Sequence, residues 1–432
     1  MEERSAIRAR NSRLGILVSF ARATRLGAMG TGTLVAIGKA KFLRQSTRKA
    51  SWHRTSHVYR GLLALACGAL ATLGFVWGSF AVVLVDLSHY LDLSPGPLGL
   101  ALSGGMIASF PVMALAGRAA HRSGRRPLLL VSAALMGAGF TWLAFVGSYA
   151  SLFVALLILS ASSGAYDVGV NAAAMDYERA TGLKRMALIH ATFSAGGALG
   201  ALFAGFLLST GVDFRLVYLA ALVPLGAVIL TAATTRFPSL ESSQESEKAG
   251  LYGNVPLLLI AFVAALAFIS EAAMEHWSGV YLRNTLELPA LVGASGVAVY
   301  HASMAAGRLI SAGVISRFGN RPTLRAAGLL AAGGMTLALT TSESGLVVCG
   351  FLVVGLSLSA VVPIALSLAG DMFPERLGEA SSVVTTLGYG GFLLGPIFVG
   401  TVATLLSLRL ALSVVVLAGI VISTFAGTYS ER

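Results

Sequence analysis

The chain has 432 residues, of which 56% are hydrophobic and only 12% charged, against about 25% charged in ordinary soluble domains. So little charge cannot cover a water-facing surface, which excludes a soluble enzyme or binding module of this size. The formal net charge of +12 does not point to nucleic acid. Thirteen Lys/Arg fall in residues 1–60 against Glu2 and Glu3, and the remainder of the chain is nearly balanced.

Residues 1–59 read as a basic, disordered cytoplasmic tail. Positive-inside anchoring explains it, and attraction to anionic lipid needs only the same charge. The Arg-rich, acid-poor composition also matches a transit peptide, and Met29 offers an alternative start. From Gly61 onward, apolar runs are long enough to cross a bilayer, which takes about 20 helical residues. They fall near 60–85, 95–117, 127–147, 151–175, 186–209 and 214–234, then near 255–281, 290–315, 322–341, 345–370, 380–405 and 408–428. The runs are continuous rather than alternating, so they predict helices and not a barrel. Cys67 and Cys349 sit inside apolar runs and give neither a disulfide framework nor a metal spacing.

The stretch 235–253 is polar and rich in Ser and Glu, too poor in apolar residues to form a core. It predicts a cytoplasmic linker between a 60–234 half and a 254–432 half. Thirteen Lys/Arg fall in the loops on one side, including Arg122, Arg125, Arg126, Arg179, Arg317, Arg321 and Arg376; the other side has only Arg215, Arg283 and Arg409. By the positive-inside rule both termini lie in the cytoplasm, and the expected location is a bacterial inner membrane.

A shift of 195 residues superposes the halves. Arg122, Gly124, Arg126 and Pro127 fall on Arg317, Gly319, Arg321 and Pro322, and Asp176 falls on Asp371. Gly196, Gly200 and Gly205 fall on Gly391, Gly395 and Gly400. One offset serving three separated motifs predicts an all-α membrane protein of twelve transmembrane helices in two pseudo-symmetric six-helix bundles. In such repeats the ligand site lies near mid-membrane between the halves.

The segment Gly117-Arg-Ala-Ala-His121-Arg122-Ser-Gly124-Arg125-Arg126 resembles the loop signature of the major facilitator superfamily, and the resemblance covers residues 60–428. It implies alternating access by two bundles, a cavity lined by helices one, four, seven and ten, and a chain that works as a monomer. The family's usual loop acid is replaced by His121, and by Ser316 in the second copy. The run from Met175 to Glu178, the segment His190-Ala-Thr-Phe-Ser194, and Glu271 with Trp277 and Tyr281 resemble a bacterial branch near the fucose-permease-like members. That narrower resemblance implies a small polar solute.

Within the spans, charge costs roughly 2.5–3.5 kcal/mol per residue and therefore faces a cavity or a partner. Asp167 and Asn171 share one face of span four; they read as a proton or solute site, or as half of an Asp167–Arg308 ion pair. Counted at about 1.5 Å per residue from the expected cytoplasmic ends, His190, Arg308 and Asp167 form an inner group. Glu271 and His301 form a deeper one. Glu271 and Glu275 lie four apart, where like charges repel and a shared proton relieves the repulsion. Glu275 and His276 are expected near a wet outer mouth. Trp77 and Tyr389 read as helix packing or as a stacking pair for a ligand, and Trp277 and Tyr281 as interfacial anchors.

At the cytoplasmic ends, Gly117, His121, Arg122, Gly124, Arg126, Asp176, Arg317, Gly319, Arg321 and Asp371 are gate candidates, with Arg122–Asp176 and Arg317–Asp371 as twin locks. Gly391, Gly395, Pro396 and Gly400, with Gly196, Gly200 and Gly205, predict tight packing faces, kinked at the proline. No phosphate-binding loop, metal-ligand spacing or nucleophile elbow is present in the sequence, so no cofactor and no metal is expected. The function expected is secondary active transport of a small polar solute, coupled to protons. Efflux of amphipathic compounds is one alternative, and a non-transporting sensor or scaffold is another.

Overall fold

The computed structural model describes residues 31–235, 237 and 250–428, with backbone alone at 31–58, 121, 427 and 428. Two units separate, Met1–Tyr59 and Arg60–Arg432. The backbone of the first is helical from Thr31. Most of the expected linker, with Arg236 and Lys248, lies outside the described residues, as does the tail up to residue 30.

Twelve helices among the described residues are long and apolar enough to cross a membrane. They are α1 Tyr59–Tyr90, α2 Pro95–Ala120, α3 Arg125–Ala144, α4 Tyr149–Thr181, α5 Met186–Ser209 and α6 Phe214–Thr234. The second set is α7 Val255–Thr285, α8 Ala290–Phe318, α9 Asn320–Thr340, α10 Ser344–Met372, α11 Pro374–Leu405 and α12 Leu408–Ala426. Several exceed the sequence expectation: α1 carries on past residue 85 and α7 past 281, which brings Asp86 and Arg283 into helices.

Local chemistry sets the helix ends. Ser148 caps α4 by accepting from the Ser151 N–H, and Asn254 caps α7 through Leu257, with Pro256 in the first turn. The loops before α3 and α9 turn on Gly124 and Gly319, at φ +90° and +84° with extended ψ. Only glycine takes that conformation without strain, so the repeated Gly-x-Arg-Pro marks a repeated backbone turn. The helix ends carrying these loops are called the basic end below, and the opposite ends the far end.

The glycine triplets place the helices. A Cβ on Gly196 or Gly200 would stand 1.9 and 2.0 Å from the carbonyl oxygens of Ala71 and Phe75, so α5 lies backbone to backbone on α1. Gly74 and Gly78 answer from α1 against Phe193 and Gly197. Gly391 does the same for α11, where a Cβ would lie 2.3 Å from the Ala265 oxygen of α7. The third glycine of each triplet crosses to the other half: Gly205 meets Ala294 of α8, and Gly400 meets the Pro95 oxygen of α2. Each half therefore binds itself and its partner with the same motif, at equivalent heights.

Pro396 lies inside α11 and disturbs the hydrogen-bond ladder of its turn. Beside it the Ile397 N–H donates to Ser103 Oγ of α2 at 2.9 Å, so the other half bonds the backbone at the proline turn.

These contacts yield a contrast between two helical glycines. Gly196→Val should cost about 1–3 kcal/mol by forcing α1 and α5 apart. Gly313→Ala, where a Cβ meets nothing within 4 Å, should be neutral or stabilising, because alanine favours helix. Thermal unfolding of the two variants in one detergent measures the difference.

Candidate functional site

A cavity of about 290 Å³ lies between the halves. Its wall takes Trp77 from α1, Met106 and Phe110 from α2, and Asp167 from α4, with His190 and Phe193 from α5. The second half supplies Phe268, Glu271, Glu275 and His276 from α7, Arg308 from α8, and Tyr389 and Phe392 from α11. The expectation of helices one, four, seven and ten holds for three of the four; α10 contributes nothing to the wall, and α2, α5, α8 and α11 do. The close glycine contacts explain this, because they push α5 and α11 against α1 and α7 and so into the interior.

Arg308 organises the polar part of the wall. Its guanidinium donates to Glu271 Oε1 at 3.3 Å, to Ser194 Oγ at 2.7 Å and to the His190 carbonyl at 3.5 Å. Glu271 and Arg308 belong to the second half, Ser194 and His190 to the first, so one side chain ties the halves together in mid-span. The expected Asp167–Arg308 pair is not formed. Asp167 instead accepts from Asn171 Nδ2 at 2.9 Å, within its own helix. The depth count misplaced Arg308 because α8 extends to Phe318. Ten residues of helix give about 15 Å, and the long arginine stem reaches the level of Glu271.

Glu275 and His276 are also corrected. They are 4% and 1% exposed and line the cavity instead of a wet mouth. His276 holds the Ala272 carbonyl at 2.9 Å through Nδ1, and its ring sits edge-on to Phe392 at 5.9 Å. Trp277 and Tyr281 are fully buried core residues and not interfacial anchors, since α7 runs through the middle of its half. His301 is buried too, but it packs on Gly197 and Phe193 rather than meeting Glu271. Trp77 lies edge-on to Phe80, and Tyr389 leans on Phe268 with centroids 5.2 Å apart; both reach the cavity.

At the basic end the expected Arg122–Asp176 lock is replaced by another pair. Asp176, 1% exposed, accepts from Arg125 at 3.0 Å, and its second oxygen lies 2.6 Å from Arg125 Nε. The second half has no such pair among the described residues, because Asn320 stands where the repeat would place Arg125. Asp371 is exposed, and Arg317 lies over the Phe318 ring at 5.4 Å. Arg321 donates to the Ala426 carbonyl and ties α9 to α12. Arg122 and Arg126 are exposed, no atom lies within 4 Å of a Cβ built on Gly117, and the side chain of His121 lies outside the described residues.

One constellation was not read from the sequence. At the far end Arg283 of α7 donates through both terminal nitrogens to the two carboxylate oxygens of Asp86 on α1, a bidentate bridge between the halves. Nearby, the Gly96 N–H donates to Thr404 Oγ1 at 2.8 Å, again across the halves. Span one was expected to end at residue 85, which left Asp86 looking like a loop acid. Its signal was an acid directly after the run Val82-Val83-Leu84-Val85.

Twelve helices in two pseudo-symmetric bundles, with a charged cavity between them, define a polytopic membrane protein. The sequence profile of the Major Facilitator Superfamily matches residues 65–396 and 297–431, and the chain belongs to that family. It is 31% identical over 331 residues to an uncharacterised MFS-type transporter of Yersinia pestis, covering 76% of this chain and 85% of the other. It is 27% identical to the membrane protein MosC of Rhizobium meliloti, covering 83% and 88%. Among solved structures, the nucleoside transporter NupG superposes with a TM-score of 0.72 at 15% identity, covering 84% of this chain and 99% of that one. A bacterial homologue of the lysosomal transporter Spinster, inward-facing and occupied, also gives 0.72 at 15% identity, covering 85% and 96%. The chain is thus a multi-pass membrane transporter of this superfamily.

Two outcomes test the ionic contacts. Arg308→Met should destabilise the protein by leaving Glu271 buried without its cation, and the double change Arg308→Met with Glu271→Leu should recover much of the loss; detergent melting temperatures give the comparison. For the far-end bridge, a Cβ on Gly96 would lie 3.6 Å from that of Thr404, within disulfide reach. Cysteines at 96 and 404, with Cys67 and Cys349 replaced by Ala, should cross-link readily. Asp86→Asn should slow the reaction, and exchanging the charges as Asp86→Arg with Arg283→Asp should restore it.

Proposed function

We propose that this protein is a secondary active transporter that moves a small polar solute by alternating access, coupled to protons, as a single chain in a bacterial inner membrane. The basic end faces the cytoplasm, following the bias of loop Lys/Arg, and both termini lie there. Residues 60–234 and 254–432 act as the two moving bodies, joined by the 235–253 linker.

The observation that carries the reading is the Arg308 junction. A guanidinium held by Glu271 within its own half also bonds Ser194 and the His190 carbonyl of the other half. Any rocking of one half on the other has to break the bonds to Ser194 and His190. Those bonds are strong only while Arg308 is held in place by an ionised Glu271. A proton on Glu271 weakens that hold and frees the guanidinium to follow either half. Buried charge in a membrane is retained where it does work of this kind.

Contacts between the halves support a reading of the state. Contacts across the halves at the far end, the Asp86–Arg283 bridge and the Gly96–Thr404 bond, close that side. At the basic end the Ser109–Arg122 part of α2 packs mainly on α4 of its own half. That supports an inward-facing arrangement, in which the far-end bridge is the closed gate. The Arg125–Asp176 pair, buried on its acid side, fastens α3 to α4 so that the first half turns as one body. Similarity to a nucleoside transporter and to the Spinster homologue supports a small organic solute.

Proteoliposomes loaded with a pH-sensitive dye and challenged with sugars, amino sugars, nucleosides and amines should acidify with at least one solute class. In Glu271→Gln, exchange of that solute across the membrane should persist while acidification is lost. Acidification equal to that of the unmodified protein would remove Glu271 from the coupling role.

A further inference from the structure

The junction leaves one acid of the cavity without a task. Glu275 is 4% exposed and lines the cavity, yet no hydrogen bond or ion pair engages its carboxylate among the described residues. A carboxylate withdrawn from water without a partner is costly. The guanidinium in the wall bonds Glu271, Ser194 and the His190 carbonyl and makes no hydrogen bond to Glu275. Next to it His276 is pinned by Nδ1 to the Ala272 carbonyl, while its buried Nε2 has no partner. Two adjacent cavity-lining side chains therefore hold open hydrogen-bonding capacity.

Their surroundings narrow what fills it. Phe392 lies beside His276, Phe268 lies 6.5 Å from Phe392, and Tyr389 lies 5.2 Å from Phe268, a continuous aromatic shelf. Trp77 belongs to the opposite half of the same wall. Three carboxylates, Asp167, Glu271 and Glu275, share the cavity with one guanidinium. A carboxylate without a partner in a cavity walled by aromatic rings is the combination that holds an organic cation, by charge-assisted hydrogen bonding and by cation–π attraction. An anionic solute entering the same space meets three acids and one guanidinium that is already bonded.

We propose that Glu275, with His276 and the Phe268–Tyr389–Phe392 shelf, is the subsite that receives a protonated amine carried by the transported solute. This assignment rests on the carrier reading above and names its substrate class: small organic amines, in preference to sugars without an amino group and to organic acids. Glu271 keeps the coupling role, and Glu275, one helical turn farther along α7, takes the solute.

The test is binding to the purified full chain in detergent, read as a rise in melting temperature. The probes are matched sets, glucosamine with glucose and glucuronate, and benzylamine with benzyl alcohol and benzoate, alongside sodium and potassium chloride. At least one amine is expected to stabilise the protein. Its hydroxyl and carboxylate counterparts should bind about ten-fold or more weakly, as expected for loss of a buried charge pair. Glu275→Gln should lose the amine response while melting at an equal or higher temperature without ligand, and Glu275→Asp should regain part of the response. Stabilisation by a carboxylate, equal stabilisation by amine and alcohol, no response to either amine, or a response to sodium alone overturns the assignment. Counterflow of the responding solute in proteoliposomes separates the two readings. Bound amine that does not move defeats the carrier reading and leaves the subsite; movement of a neutral or acidic solute with no amine response defeats the subsite and leaves the carrier.

Discussion

Helices surrounded by lipid gain nothing from hiding apolar surface from one another, because the lipid is as apolar as they are. What holds them is close packing, and the closest packing requires that no Cβ stand between two backbones. The repeated glycine triplet meets this requirement twice. Gly196 and Gly200 bring α5 onto α1, Gly391 and Gly395 bring α11 onto α7, and Gly205 and Gly400 reach across to α8 and α2. The positions of the cavity side chains on α5 and α11 follow from those approaches. His190 and Ser194 stand on α5 just before its glycines, and Tyr389 and Phe392 stand among the glycines of α11, so the packing that builds each half also aims these side chains inward.

Against this apolar frame the three ion pairs that join separate helices lie at three levels. Asp176 and Arg125 join α4 to α3 at the basic end, inside one half. Arg308 and Glu271 sit at mid-depth, and the arginine also bonds the opposite half through Ser194. Asp86 and Arg283 span the halves at the far end. Contacts within a half survive a rocking motion, and contacts between halves are made and broken by it. The distribution of ion pairs thus separates the rigid parts of the protein from its hinged surfaces. Asp167 and Glu275 belong to none of the three levels, and of the two only Asp167 has a hydrogen-bond partner, Asn171, so the carboxylate of Glu275 stands out.

The repeat is conserved in geometry more than in chemistry. Gly124 and Gly319 make the same glycine-only turn, and the triplets make equivalent contacts. The ionic pairing has diverged, because Asn320 replaces Arg125 and Asp371 is left exposed. The cavity is more lopsided still. Glu271, Glu275, His276 and Arg308 come from the second half, while the first contributes Asp167, His190 and Trp77. Backbone packing tolerates little change, since a single added carbon collides with a carbonyl, whereas a side chain in a cavity is free to specialise.

The sequence by itself determined the twelve helices, their order, the two-fold repeat and the glycine faces. Each of these is written in local composition or in spacing along one chain: apolar runs, turn glycines, an offset of 195 residues. It also singled out Asp167, Glu271, Glu275 and Arg308, because charge within an apolar run is visible without a fold. Only the tertiary structure decided who partners whom. Arg308 joins Glu271 rather than Asp167, Asp176 takes Arg125 rather than Arg122, and Asp86 meets Arg283 across 197 positions. It also drew Glu275, His276 and Trp277 into the interior. Pairing depends on helix crossing, exact helix length and side-chain reach, and a few ångströms in any of these change the partner. No one-dimensional count carries that precision, because the distances that select a partner arise from helices brought together by residues far away in the chain.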